Sequence, residues 1–251
     1  MTAHCVLVLA GLDPSGGAGL FADAEAIRAS GARPLGVPTA LTAQTLKRMH
    51  GFQPLSPPLT MQTARALLEE EPVRAIKIGM VGTPAMARAI AELLAEAKLP
   101  AVVDPVLAAS NGGALFQGGP GAARDAYGAL FANAIATPNA LEAQVLLALA
   151  EPPHSAEALE SAARELVRRG ARAALVKGGH LEGPESIDVL CEGDRCVHLA
   201  ARRLDISARG TGCRLASALA AGLAQGRGLE QSARDAKALV LEYLESSSQR
   251  V

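Results

Sequence analysis

The sequence predicts an α/β fold in which a mostly parallel sheet lies between layers of helix. Three observations carry that prediction. Short β-rich runs alternate with longer helical patterns almost from end to end. Glycine-rich turns fall where a predicted strand hands over to a helix. The 251-residue chain is 49% hydrophobic and 20% charged, a balance and length that bury roughly 70–75% of the extended-chain surface. With four Phe, two Tyr and no Trp, the core must be aliphatic and rich in alanine.

In chain order, strands are predicted at 4–10, 35–42, 75–80, 101–106, 134–137, 173–177, 187–191 and 196–199. Helical patterns lie between them near 18–30, 60–71, 84–98, 120–132, 140–150, 155–169, 212–225 and 229–245. Thr83 before Pro84 reads as an N-cap followed by proline at the first helical position, and Ser155 can cap the helix after it. The last helix carries the clearest stripe, in Leu229, Ala233, Ala236, Val240 and Tyr243. Glu192-Gly193-Asp194-Arg195 is a polar turn between two short β-rich runs, which is a hairpin signal, so a small antiparallel edge is expected late in the sheet. No linker divides the chain, and residues 1–251 read as a single domain.

Charge narrows the function classes. Twenty-four basic residues face 25 acidic ones, without the basic excess or aromatic platforms that nucleic-acid binders use. No apolar run approaches the length of a membrane span, and the first ten residues lack a basic leader region. No nucleic-acid or membrane partner is expected, and the reading is cytoplasmic. Cys5, Cys191, Cys196 and Cys213 contain no C-x-x-C pair and are expected to be reduced thiols.

Chemistry-bearing residues gather at predicted strand ends. The first strand runs into Gly11-Leu12-Asp13-Pro14-Ser15-Gly16-Gly17-Ala18-Gly19, a turn that is either structural or a ligand loop, since it is neither a dinucleotide fingerprint nor a P-loop. Asp23 either faces that pocket or complements the helix dipole. Gly210-Thr211-Gly212-Cys213 opens a helix, where free N–H groups suit an anion and a thiol pKa tends to fall; the alternative is a small apolar residue packing helix to sheet. Lys177 ends a strand and can reach phosphate or simply be solvated. Asp104 closes a buried-looking strand, Val102-Val103-Asp104, where a carboxylate needs a cation such as Mg²⁺ or a partner. Asn139 and Glu142 have capping-box spacing as well as a place at the same sheet edge. That edge is where open α/β sheets bind ligands.

These residues resemble the hydroxymethylpyrimidine/phosphomethylpyrimidine kinases of thiamine biosynthesis, within the ribokinase-like superfamily. The resemblance covers about residues 5–245 through AGLDPSGGAGLFAD (10–23), TALTAQ (39–44), IKIGMVG (76–82), VVDPV (102–106), ATPNALEA (136–143), LVKGGH (175–180) and RGTGC (209–213). It implies a ribokinase-like three-layer sandwich and an ATP- and Mg²⁺-dependent kinase. The substrate would be 4-amino-5-hydroxymethyl-2-methylpyrimidine and, in bifunctional members, its monophosphate. Gly11, Ala18, Asp23, Gln44, Met80 and Val106 would line the pyrimidine pocket. Asp104, Asn139 and Glu142 would organise Mg²⁺ and the ATP phosphates, with Asp104 and Glu142 as the metal's carboxylates. Lys177 would contact phosphate, Gly210, Thr211 and Gly212 would form an anion hole, and Cys213 would take the hydroxymethyl proton.

Without a Trp or Tyr near those positions, Met80, Val106 and Ala18 must wall the pyrimidine, and Phe21 is the ring nearest a motif. The sequence departs from the family pattern at Arg209, where His is usual, at Arg214, where Thr is usual, and over 107–113. Arg209 or Arg214 either adds an anion contact or faces solvent. Competing readings are a pyridoxal kinase of the same superfamily, a non-catalytic pyrimidine-binding protein and, last, a cysteine hydrolase, for which the five histidines offer no evident base beside Cys213. The family also implies a homodimer, expected near 35–41.

Overall fold

The computed structural model describes residues 4–109, 112–179, 181, 183–206 and 208–248. Ser110 and Asn111 of the altered segment, and His180 of the LVKGGH motif, lie outside the described residues. The chain begins β1 (Cys5–Leu12), α1 (Gly19–Ala29), β2 (Arg33–Gln44), β3 (Met49–Pro54), α2 (Pro57–Glu70), β4 (Val73–Ile78), α3 (Pro84–Ala97) and β5 (Ala101–Val103). It continues α4 (Gly119–Phe131), β6 (Ile135–Ala136), α5 (Ala140–Leu147), α6 (Ala156–Arg168), β7 (Ala173–Val176), β8 (Glu185–Glu192), β9 (Arg195–Arg202), α7 (Thr211–Ala224) and α8 (Leu229–Ser248). All eight predicted helices form.

The strands make one sheet in the order β3-β2-β1-β4-β5-β6-β7-β8-β9. β2, β1, β4, β5, β6 and β7 are parallel, whereas β8 and β9 form the expected antiparallel hairpin. A second antiparallel strand, β3 on β2, corrects the expectation of a single such edge. Its sequence, Met-His-Gly-Phe-Gln-Pro, has no alternating pattern and carries Gly and Pro, which an edge strand tolerates and a central one does not.

Period-two alternation in the strands divides the core into two layers. In β1, Cys5, Leu7 and Leu9 pack with α2, α3, α4, α5 and α6 residues on one face. Val6, Val8 and Ala10 pack on the other, with Ile27 of α1, Leu219 of α7 and Ala233 of α8. Alanine dominates the α7 side, with Ala216, Ala218, Ala220, Ala221 and Ala224 all buried. The caps read from sequence are present: Thr83 accepts from the Met86 amide at 3.1 Å and Ser155 from the Ala158 amide at 3.2 Å.

The cysteine reading needs correction. Cys191 and Cys196 form a disulfide, because the two-residue turn at Gly193-Asp194 sets them directly opposite across β8 and β9, with Cα atoms 4.1 Å apart. Cys5 and Cys213 remain thiols.

Candidate active site

The strand order reverses at β1, with β2 on one side and β4 on the other, so the carboxyl ends of β1, β4, β5, β6 and β7 open onto one crevice. At the end of β1, Asp13 is buried and shapes the glycine loop. Its carboxylate accepts from the Ser15 amide at 2.9 Å, the Ser15 hydroxyl at 2.6 Å and the Ala18 amide at 3.0 Å. Gly11 is required by close approach: a Cβ there would lie 2.7 Å from the Met80 sulfur. Ala18 stands at the N-cap of α1.

Lys177, one residue past β7, donates to Asp104, one residue past β5, at 2.6 Å. Glu142 lies 4.0 Å from the same ammonium. Burial would lower the Lys177 pKa, but the Asp104 and Glu142 carboxylates hold it above its ordinary value. Asn139 and Glu142 form the full capping box of α5. The Asn139 side chain accepts from the Glu142 amide at 2.9 Å, and the Glu142 carboxylate accepts from the Asn139 amide at 2.8 Å. The structural reading of their spacing is therefore correct, and it also presents the carboxylate to Lys177. Burial pushes Glu142 up to about 7, against the pull of Lys177.

The Gly210–Cys213 turn joins these groups to the glycine loop. Gly210 has φ +71°, and a Cβ on it would meet the Gly17 carbonyl at 2.3 Å. Gly212 runs so close to the ion pair that a Cβ would lie 3.0 Å from the Lys177 ammonium. Cys213 occupies the first turn of α7, where the Gly19 amide at the start of α1 favours its thiolate. The expected fall in its pKa does not occur. Burial pushes the thiol up to about 12, opposed by Lys77, with Asp23 and Asp104 adding to the rise.

Met80, Ala40 and Leu115 form a small apolar patch with Met49, Phe52 and Val106 packed on it. The ring beside the motif is therefore Phe52 of β3, whereas Phe21 projects from α1 at 55% exposure. Gln44, in register with Met49 at the end of β2, accepts through Oε1 from Arg209 at 3.1 Å. Arg209 is not solvent-facing: it also donates to the Thr45 carbonyl at 2.9 Å and lies 3.7 Å from Asp13. Arg214 is buried, paired with Glu25 at 2.5 Å and stacked 3.9 Å over the Tyr243 ring. That pairing fixes the α1, α7 and α8 junction and places no free guanidinium in the site.

Asp23 does not serve the first-turn dipole role expected of it. It lies past the first turn of α1 and is fully buried, where it accepts from Lys77 at 2.7 Å and Ser217 at 2.8 Å. Its second carboxylate oxygen, Oδ2, is buried without a hydrogen-bond partner among the described residues. Lys77 is the residue that motif reading passed over. It shares the strand face of Ala75, so alternation in β4 drives it between α1 and α7. Burial would lower its pKa, but Asp23, Cys213 and Asp104 hold it raised. The available signal was a lysine inside the apolar run Ala75-Ile76-Lys77-Ile78 of a lysine-poor chain.

Beyond Lys177 a cavity of about 590 Å³ opens between the β8–β9 hairpin and α8. Asn139, Thr211, Gly212, Asp188, Lys237 and Val240 are among its walls, and the volume suits a nucleotide-sized ligand. Asp188 accepts from the Gly178 amide at 2.9 Å and pairs with Lys237 at 2.7 Å, which holds the Lys177-Gly178 turn against β8. Among the described residues no group of three or more His, Cys, Asp or Glu is gathered to hold a metal. Mg²⁺ does not need one, because it takes one or two carboxylates with water and phosphate oxygens, and Asp104 and Glu142 fit that donor set.

Comparison with known proteins agrees with this geometry. Residues 13–250 match the phosphomethylpyrimidine kinase family. The chain is 39% identical over 244 residues to the hydroxymethylpyrimidine/phosphomethylpyrimidine kinase of Rhizobium meliloti, across 95% of this chain and 89% of that one. Among solved structures, phosphomethylpyrimidine kinase from Clostridium difficile superposes with a TM-score of 0.81 at 31% identity, over 95% of this chain and 98% of that one. Pyridoxal kinase from Staphylococcus aureus, in complex with AMP-PCP and pyridoxal, superposes with a TM-score of 0.86 at 27% identity, over 97% of this chain and 88% of that one.

Proposed function

This chain belongs to the phosphomethylpyrimidine kinase family, and we propose that it transfers the γ-phosphoryl group of ATP to 4-amino-5-hydroxymethyl-2-methylpyrimidine. The monophosphate formed is then phosphorylated to the diphosphate, in cytoplasmic thiamine biosynthesis. One observation carries the reading: Lys177, which lines the cavity, pairs beneath Gly212 with Asp104, two residues before Val106 of the Met80 patch. ATP placed in the cavity would have its phosphates at Lys177, with the pyrimidine on the patch beyond.

The hydroxymethyl oxygen attacks the γ-phosphorus as the bond to the ADP oxygen breaks. Positioning and charge neutralisation dominate such a transfer. Lys177 meets the phosphate charge, and the amides of the Gly210–Gly212 turn meet the charge that grows in the transition state. Mg²⁺, when bound near Asp104 and Glu142, supplies further neutralisation of the ATP phosphates. The substrate proton is lost late, to Cys213. The thiolate this requires is disfavoured by burial and favoured by Lys77, Lys177 and the Gly19 amide. Gly11, Ala18, Met80 and Val106 wall the pyrimidine, and Gln44 reads its polar edge.

The whole chain works as one kinase domain, with no part for nucleic acid or membrane. No helix among the described residues is long and apolar enough to cross a membrane. The family's homodimer would use β2 at Leu41, which is 45% exposed, whereas Leu35 of the same strand packs on the main core.

Pyridoxal phosphorylation is the second reading, favoured by the fit to the pyridoxal kinase structure. ADP formation with Mg·ATP and, in turn, the hydroxymethylpyrimidine, its monophosphate and pyridoxal decides between them. ADP with pyridoxal alone would replace the proposal, and ADP with none of the three would leave a binding protein.

A further inference from the structure

Arg209 bridges three segments of the site that are distant in sequence. Its guanidinium reaches Gln44 Oε1 at 3.1 Å and the Thr45 carbonyl at 2.9 Å, both at the end of β2, and lies 3.7 Å from Asp13 of the glycine loop. Its own carbonyl accepts from Tyr243 at 3.2 Å, anchoring it from α8. Gly17 lies beside it, where an added Cβ would stand in ordinary contact with Nη1 at 3.4 Å. Little freedom is left to the side chain, which is only 18% exposed.

A guanidinium carries donors and no acceptor. Whichever way the Gln44 amide is rotated, the atom facing Arg209 must therefore be its oxygen. The NH₂ group is then turned away from Arg209, and it has no partner among the described residues. A glutamine amide held by nothing rotates to suit either a donor or an acceptor. One held by a donor-only neighbour presents a fixed edge: two N–H donors and the second lone pair of the oxygen.

We propose that Arg209 is a specificity-determining positioning residue, which locks the Gln44 amide so that it donates to a ring nitrogen and accepts from an exocyclic amine. An aminopyrimidine offers that pair of groups side by side. Pyridoxal has the ring nitrogen without the amine, so the lock favours the pyrimidine. The inference rests on the pyrimidine-kinase reading of the same site and specifies how that site reads its substrate.

The test compares Arg209→Gln, which carries both donor and acceptor, with Arg209→Lys, which like arginine has donors only. Arg209→Gln should weaken calorimetric binding of the hydroxymethylpyrimidine about tenfold and lower the pyrimidine-over-pyridoxal ratio of kcat/KM by a similar factor, the scale of one mispaired buried hydrogen bond. KM for ATP should stay within about twofold, and Arg209→Lys should recover most of the preference. In a Gln44→Ala background, Arg209→Gln should cost pyrimidine binding nothing further. Equal losses for pyrimidine and pyridoxal, additive losses in the double variant, or no rescue by lysine would each overturn the proposal. If Arg209→Gln fails to fold, Arg209→Lys against Gln44→Ala decides: the lysine variant must keep the preference that the alanine variant loses. Pyrimidine binding without turnover in the wild type would sink the proposed function and leave these Kd comparisons to judge the lock. No pyrimidine binding at all would overturn both.

Discussion

Lys177 and Asp104 meet at 2.6 Å although 73 residues of chain separate them, because each lies one step past the end of its strand and only β6 lies between β7 and β5. Both side chains are nearly buried, at 11% and 3% exposure. Two opposite charges in that setting stabilise only as a pair; one left alone pays for its desolvation without compensation.

Lys177→Met should therefore destabilise the fold by about 3–5 kcal/mol, the usual result of stranding a buried charge. Joining it to Asp104→Asn should restore part of that stability in denaturant unfolding without restoring phosphoryl transfer. A double variant as unstable as Lys177→Met would show that the pair is not the source of the loss.

Gly210 and Gly212 make a contrast within one turn. Alanine at Gly210 must adopt φ near +71° and place its Cβ 2.3 Å from the Gly17 carbonyl, backbone that has little room to move. The cost should be about 2 kcal/mol or more, read as a lower Tm. Alanine at Gly212 meets side-chain atoms first, the Lys177 ammonium at 3.0 Å and the Asp104 carboxylate at 3.8 and 3.9 Å. Its Tm should fall less than that of the Gly210 variant, while kcat drops with little change in KM for the pyrimidine, because the crowded ammonium serves the phosphate. Equal stability losses at the two positions would contradict the assignment.

Much of this is legible in the sequence. The strand ends could be placed because alternation and glycine punctuation survive in the sequence, and Lys177, Asp104 and the Gly210–Cys213 turn fell on them. Residues whose role depends on a distant neighbour were not legible. Nothing local announces that β4 delivers Lys77 against Asp23, and the fall expected in the Cys213 pKa from a helix start is outweighed by burial. Arg209 and Arg214 could not be separated by sequence, because only packing sends one to Gln44 and the other to Glu25 and Tyr243.

Cys213→Ala should lower kcat by about a hundredfold or more, the range for losing a proton acceptor, with little change in pyrimidine binding. Since burial raises the thiol to about 12, wild-type kcat should climb with pH above neutrality as the thiolate fraction grows. That slope should be missing in the alanine variant. Iodoacetamide should label Cys213 slowly at neutral pH and faster as pH rises. Rapid labelling at neutral pH would mean that the thiolate is already formed.

Lys77→Met removes the sole ion-pair partner that the described residues provide to Asp23. The carboxylate would keep only Ser217, and stability should fall by about 3–5 kcal/mol. Asp23→Asn in the same chain should recover part of it. In the double variant, which also loses the opposing Asp23 charge, any shift should be smaller than in Lys77→Met alone, where the rise of kcat with pH should move to higher pH because Lys77 favours the Cys213 thiolate. A Lys77→Met profile unchanged from wild type would separate Lys77 from the thiol.

Glu142 links stability to pH with a definite sign. Its pKa rises from 4.5 to about 7 on folding, chiefly through burial, so between those values the folded chain holds a proton that the unfolded chain has lost. The resulting stabilisation is complete below about 4.5 and is lost as pH rises through about 7. Glu142→Gln keeps an acceptor for the Asn139 amide and so preserves the cap, while abolishing the titration. The variant should gain Tm relative to wild type as pH rises across that window. The gain should shrink when Mg·ATP is added to the wild type, because a cation near Asp104 and Glu142 favours the ionised carboxylate. A constant Tm difference from pH 4.5 to 7 would place the Glu142 pKa near its ordinary value.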